Sequence, residues 1–149
     1  QTCALPICGI DFRFQLPDRK IKLLLDSEKT YRVFENLLIN IVKYGMPGTR
    51  AYIEITEREE EGQEKPGEVR VAMKNISAAE LSDDGRDLTD RFVRGDQSRN
   101  TEGSGLGLAI ARSFVELQGG RFELETEADL FKVTLMWKKD GERGETAFS

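Results

Sequence analysis

Between residues 28 and 44 the chain carries apolar side chains at helical spacing, and no other feature constrains the fold as tightly. At roughly 100° per residue, Val33, Phe34, Leu37, Leu38, Ile41 and Val42 fall on one broad face. A helix of that kind has to bury its stripe against another element, so the chain needs a second layer. Lys29, Arg32, Asn36, Asn40 and Lys43 gather on the opposite side. Ser27 is placed to cap the start, and Gly45-Met46-Pro47-Gly48 stops the helix.

The second layer reads as a sheet. Apolar and polar residues alternate over 10–16 (Ile10, Phe12, Phe14, Leu16), over 51–56 and over 69–74 (Val69, Val71, Met73). The last two form an antiparallel pair joined by the charged loop 57–67. A second helix spans about 106–118 and stops at Gly119-Gly120, after which 122–126 and 131–137 read as a closing hairpin. Residues 75–102 are mostly polar, with Leu81, Leu88, Phe92 and Val93 as anchors, which marks a lid or binding loop with room for a third, short helix. The expected architecture is α+β, a two-layer α/β sandwich with a mainly antiparallel mixed sheet packed on about three helices.

Composition narrows the function. With 149 residues the chain has the length of one domain. It contains no histidine, which excludes histidine-based acid–base chemistry, Ser-His-Asp triads and histidine metal ligands in this chain. A net charge of −5 argues against nucleic acid as a partner, although a few donors suffice for one nucleotide. No apolar run reaches the roughly 18–20 residues of a membrane-spanning helix. Cys3 and Cys8, lacking further ligands nearby, read as neither a zinc site nor a disulfide framework. Residues 1–7 read as an in-frame translation of a sequencing adapter, so 1–8 are set apart as an artefact with the upstream region lost. The domain then covers 9–137, followed by a polar tail, 138–149.

Three constellations carry chemistry. On the polar face of the first helix, Asn36, Asn40 and Lys43 succeed one another at one-turn intervals. Asparagine is a mediocre helix former, so two of them above a lysine are unusual. An amide oxygen can complete a Mg²⁺ shell while phosphates supply the anionic ligands, and a lysine can meet the same phosphates. Gly103-Ser104-Gly105-Leu106-Gly107-Leu108 opens the second helix, where glycines let an anion approach free N–H groups. It is neither the dinucleotide fingerprint nor a Walker loop, because the third glycine and the Lys-Ser/Thr pair are missing. Between the two, Arg91, Arg94 and Arg99 flank Phe92-Val93 on a loop able to close over phosphates. Taken singly, each has a plainer reading as a solvated helix face, a turn or a charged loop.

In this order and spacing the three resemble the histidine-kinase branch of the gyrase, heat-shock chaperone, histidine-kinase and mismatch-repair ATPase superfamily. Residues 36–44 look like the kinase N box, Arg91-Phe92-Val93-Arg94 like the F box, and 103–108 like the G2 box. The resemblance covers about 11–137 and implies the Bergerat fold. It implies that Asn40 holds Mg²⁺, Asn36 supports the phosphates, Lys43 meets the phosphate tail and Tyr44 flanks the adenine. Arg94 would be the lid arginine beside Phe92, and backbone amides of Gly105 to Leu108 would cradle phosphates. One departure stands out. The family's G1 box, Asp-x-Gly-x-Gly, is replaced here by Asn75-Ile76-Ser77, so Asn75 would accept from the adenine amino group as a neutral amide. Thr89 also stands where the F box has an aromatic residue.

The implied activity is protein-histidine kinase, with ATP and Mg²⁺ as cofactors, passing the γ-phosphoryl group to a histidine on a dimerisation domain outside this fragment. The implied partners are that phosphoacceptor domain, a response regulator and a second copy in a homodimer. The implied setting is the cytoplasmic side of a bacterial membrane, with tethering through upstream segments. Two other readings stay open: a nucleotide-binding or interaction module without phosphotransfer, and a serine kinase of the anti-sigma-factor type.

Overall fold

The amphipathic stretch forms helix α1 (Ser27–Tyr44), with Val33, Leu37 and Ile41 fully buried. The protein is represented by a computed structural model that describes residues 2–7, 9–58, 67–79, 81 and 106–139, residues 2–7 by their backbone alone. The cap of α1 lies one residue earlier than expected. Asp26, not Ser27, accepts the Lys29 backbone N–H at 3.0 Å and pairs with the Lys29 ammonium at 3.1 Å. A carboxylate suits this position because it also meets the positive end of the helix dipole.

The strands are β1 (Thr2–Ile7), β2 (Ile10–Gln15), β3 (Arg50–Arg58), β4 (Glu68–Ile76), β5 (Arg121–Glu127) and β6 (Leu130–Lys138). They form one sheet in the order β1-β2-β3-β4-β6-β5. Only β2 and β3 are parallel, and α1 is the crossover between them, since parallel neighbours cannot be joined by a tight turn. Segment 2–7, set apart on sequence grounds, pairs antiparallel with β2 from Thr2↔Gln15 to Ile7↔Ile10. The second helix, α2 (Leu106–Leu117), completes the helical layer among the described residues. Most of the segment expected to hold a third helix lies outside them.

Period-2 alternation puts Phe12, Ile53, Val71, Met73, Val133 and Leu135 on one face of the sheet. Helices α1 and α2 cover that face with Val33, Leu37, Ile41, Leu108, Ala111 and Val115. Each fully buried Val, Leu or Ile among them contributes about 1.5–3 kcal/mol. The helices run antiparallel: the Asp26 N–H donates to the Gln118 side-chain oxygen at 2.7 Å, tying the start of α1 to the end of α2. Gly119 (φ +72°) closes α2 in the left-handed region, and Gly120 passes so near Trp137 that a Cβ would stand 2.5 Å from the indole nitrogen.

The polar tail starts later than the expected boundary at residue 138. Lys138 ends β6, and the Lys139 backbone N–H donates to the Gly67 carbonyl at 2.6 Å. The Lys139 ammonium joins the Glu57 carboxylate, which also pairs with Arg19 at 3.0 Å. Lys139 above all, with Arg19, holds Glu57 below its ordinary value of 4.5, and the Lys29 N–H does the same for Asp26 below 3.8. Both folded-state pKa values are depressed. The linked stabilisation is therefore complete above the ordinary carboxylate range and is lost as pH falls through the folded values. Urea titrations below about pH 4.5 should show stability dropping, with a shallower drop in Glu57→Gln. An unchanged slope in that variant would contradict this assignment.

Candidate functional site

Four pieces meet at one end of the sheet: the last turns of α1, the end of β4, the β5–β6 turn and the start of α2. Backbone hydrogen bonds hold the first three. The Met46 N–H donates to the Ile76 carbonyl, the Ala78 N–H to the Tyr44 carbonyl and the Ser77 N–H to the Asp129 carbonyl, each at 2.8 Å. Gly45 makes this junction possible. Its φ of −68° suits any residue, but a Cβ there would collide with the Ile10 side chain and the Ile41 carbonyl. Space, and not backbone conformation, requires glycine at this position.

The closure brings Asn40 and Asn75 together. With Leu37, Ile41, Met73, Phe131 and Val133 they line a small cavity between α1 and the sheet. Asn75 is 4% exposed, and its Nδ2 makes a long hydrogen bond, 3.4 Å, to the Ile76 carbonyl. Its Oδ1 is buried and bonded to nothing among the described residues. A buried acceptor without a donor costs about 1–3 kcal/mol and calls for a partner.

On the neighbouring side, α2 begins against the polar stripe of α1. The Asn36 Oδ1 lies 3.7 Å from where a Cβ on Gly107 would sit. Leu108 is buried and anchors this first turn, whereas Leu106 is 45% exposed. The free N–H groups that every helix start carries therefore lie beside Asn36. Lys43 is exposed in the last turn of α1, and Tyr44 next to it is half-buried. Ser77 is buried, with its hydroxyl oxygen accepting the Ala79 N–H at 3.3 Å, so that oxygen already closes the turn after β4.

The structure thus gathers Asn36, Asn40, Asn75 and Gly107 at one end of the sandwich, with Lys43, Tyr44, Leu106, Leu108 and Ser77 around them. Phe92, Arg94, Gly103, Ser104 and Gly105 lie outside the described residues. Five cavity residues were not among the site residues suggested by the sequence. Leu37 and Ile41 read as the apolar stripe of the helix, Met73 as one face of its strand, and Phe131 and Val133 only as part of the closing hairpin. Only the β4–β6 register, Asn75↔Phe131, sets that ring beside the orphaned amide.

The sequence matches the family described as histidine kinase-, DNA gyrase B-, and HSP90-like ATPase over residues 25–146. The chain belongs to this family. It is 37% identical over 115 residues to the probable sensor protein PcoS of Escherichia coli, covering 74% of this chain and 23% of PcoS. It is 30% identical over 138 residues to the sensor histidine kinase WalK of Bacillus subtilis, covering 89% of this chain and 22% of WalK. The chain therefore spans under a quarter of either relative. Its fold matches that of the mycobacterial sensor histidine kinase MprB with a TM-score of 0.64 at 21% identity, over 87% of this chain and 82% of the other. The α+β architecture expected from the sequence is that of a histidine-kinase ATP-binding domain.

Among the described residues Asn75 Oδ1 has no donor, which costs stability at this position. Asn75→Val should raise the stability of the nucleotide-free protein by about 1 kcal/mol in urea denaturation. A loss of stability would show that Oδ1 is already satisfied.

Proposed function

We propose that this domain binds Mg·ATP between the end of α1, the end of β4 and the start of α2, and delivers the γ-phosphoryl group to a histidine of a sensor kinase's dimerisation domain. The observation that carries the reading is the orphaned Asn75 Oδ1, a buried acceptor beside Asn40 in an apolar slot. The amino group of adenine is the donor it lacks. Guanine would set its own carbonyl oxygen against that acceptor, so the site favours ATP over GTP. The cavity itself, about 10 Å³, is smaller than a purine, so the base would lie at its mouth against Leu37, Ile41 and Phe131, with Tyr44 at its flank.

Asn36 and the first N–H groups of α2 would face the phosphates, and Lys43 would add a mobile positive charge. Phe92, Arg94 and the amides of Gly103, Ser104 and Gly105 would complete this cradle from the lid side. Among the described residues no cluster of three or more His, Cys, Asp or Glu could cage a metal. Mg²⁺ keeps waters and phosphate oxygens as ligands and would need only Asn40 from this face. When bound, Mg²⁺ neutralises phosphate charge.

The reaction breaks the bond between the γ-phosphorus and its bridging oxygen and forms one to an imidazole nitrogen, leaving ADP. This chain has no histidine, so the acceptor belongs to another segment. The domain's part in catalysis is positioning and charge neutralisation. A phosphoacceptor domain, a response regulator, a homodimer and a membrane-tethered cytoplasmic location belong to the same proposal. No helix among the described residues is long and apolar enough to cross a membrane.

Calorimetry with Mg·ATP and Mg·GTP tests the site. Wild type should prefer ATP, and Asn40→Ala should weaken binding by about tenfold or more, in keeping with about 1.5–3 kcal/mol for a contact to a charged group. Gly107→Ala should leave the fold intact, because its Cβ meets Asn36 at ordinary contact distance, yet weaken ATP binding by crowding the cradle. Supplied with a sensor-kinase dimerisation domain, the protein should yield an acid-labile phosphohistidine. An acid-stable product would point to serine transfer instead. A folded protein that binds no nucleotide would leave an interaction module as the function.

A further inference from the structure

The sheet face turned away from the helices contains a trough. Ala72 and Thr134 lie opposite one another on β4 and β6 and form its floor, both buried although they point outward. Arg70 and Arg58 rise on one side, Lys74 and Lys132 on the other. Short side chains between two rows of long ones open a channel that crosses β3, β4 and β6. At about 4.8 Å per strand it spans roughly 10 Å, the length of about three extended residues.

Charge in the trough runs against that of the whole chain. Four cations line it against a single carboxylate, Glu54, in a protein of net charge −5. Arg58 and Lys74 pair with no carboxylate among the described residues. Arg70 and Lys132 do have partners, Glu68 and Glu125, each at 3.1 Å. The four side chains of these ion pairs are 29–60% exposed, so the pairs hold their cations weakly. The Arg70 fork is also only half used. Its terminal nitrogen meets Glu68, while its Nε is buried and bonded to nothing among the described residues. A guanidinium left so can gain by turning into the trough toward an acceptor that takes both nitrogens at once.

We infer that this trough docks an acidic, extended segment of a partner polypeptide. Its carboxylates would lie between Arg70 and Arg58 on one side and Lys74 and Lys132 on the other. The small floor residues let its backbone come close, and the Thr134 and Thr56 hydroxyls line its path. Glu54 opposes such a partner within the trough, and Glu123, opposite Thr134 on β5, does so at its end. The surface lies on the opposite side of the sheet from the nucleotide site, so it stands independently of the kinase proposal.

Fluorescence anisotropy with labelled octaglutamate at low salt tests the inference directly. The protein's overall charge repels this probe, so binding requires local complementarity. Lys74→Gln/Lys132→Gln should weaken binding by about tenfold, Arg70→Gln should weaken it, and Glu54→Gln should tighten it. Thermal melts followed by circular dichroism establish that each variant is folded. Absence of binding by the folded wild type would overturn the inference. So would equal affinity across these variants, or displacement of the probe by inorganic phosphate at matched concentration, which would mark a site for free anions only.

Discussion

The contact on which the site depends is the one at Gly45, where the end of α1 comes down onto the sheet against Ile10, Ile41 and Asn75. Dispersion and burial hold the rest of α1 in place through Val33, Leu37 and Ile41, but being non-directional they leave its position along the sheet less tightly fixed. Directional hydrogen bonds on both sides of Gly45, from Met46 to Ile76 and from Ala78 to Tyr44, remove that freedom. They set Asn40 against Asn75.

One helix therefore serves two purposes. Its apolar stripe closes the core, and its polar stripe, read out at the same spacing, presents Asn36, Asn40 and Lys43 at the edge of that core. A site built this way is as rigid as the packing beneath it, which suits chemistry that relies on positioning. The Asn75 Oδ1, without a donor among the described residues, is the counterpart of that rigidity: a fixed acceptor whose burial costs stability unless a donor meets it.

The far end of the sandwich is tied differently. Asp26 and Gln118 join the two helices, while Lys139, Arg19 and Glu57 join the strand ends. These polar ties sit at the opposite end of the sheet from the Asn40–Asn75 junction.

Much of this was legible in the sequence because its signals are periodic and local. The stripe on α1, the glycines after it, the alternation of β3, β4 and β6 and the Gly119-Gly120 stop each depend on neighbours a few residues away. So did the choice of Asn36, Asn40 and Lys43, which a helical wheel places together. Small local competition escaped it: Asp26 displaced Ser27 as the cap because a carboxylate also gains from Lys29 and the dipole. Pairing across long separations was decided by tertiary structure alone. No pattern in the chain announces that Phe131 faces Asn75, that Gly45 is required by the reach of Ile10, or that Arg70 and Lys74 flank a channel floored by Ala72 and Thr134. Those facts follow from strand register and from the separation of packed layers, and both are settled only when the whole core closes at once.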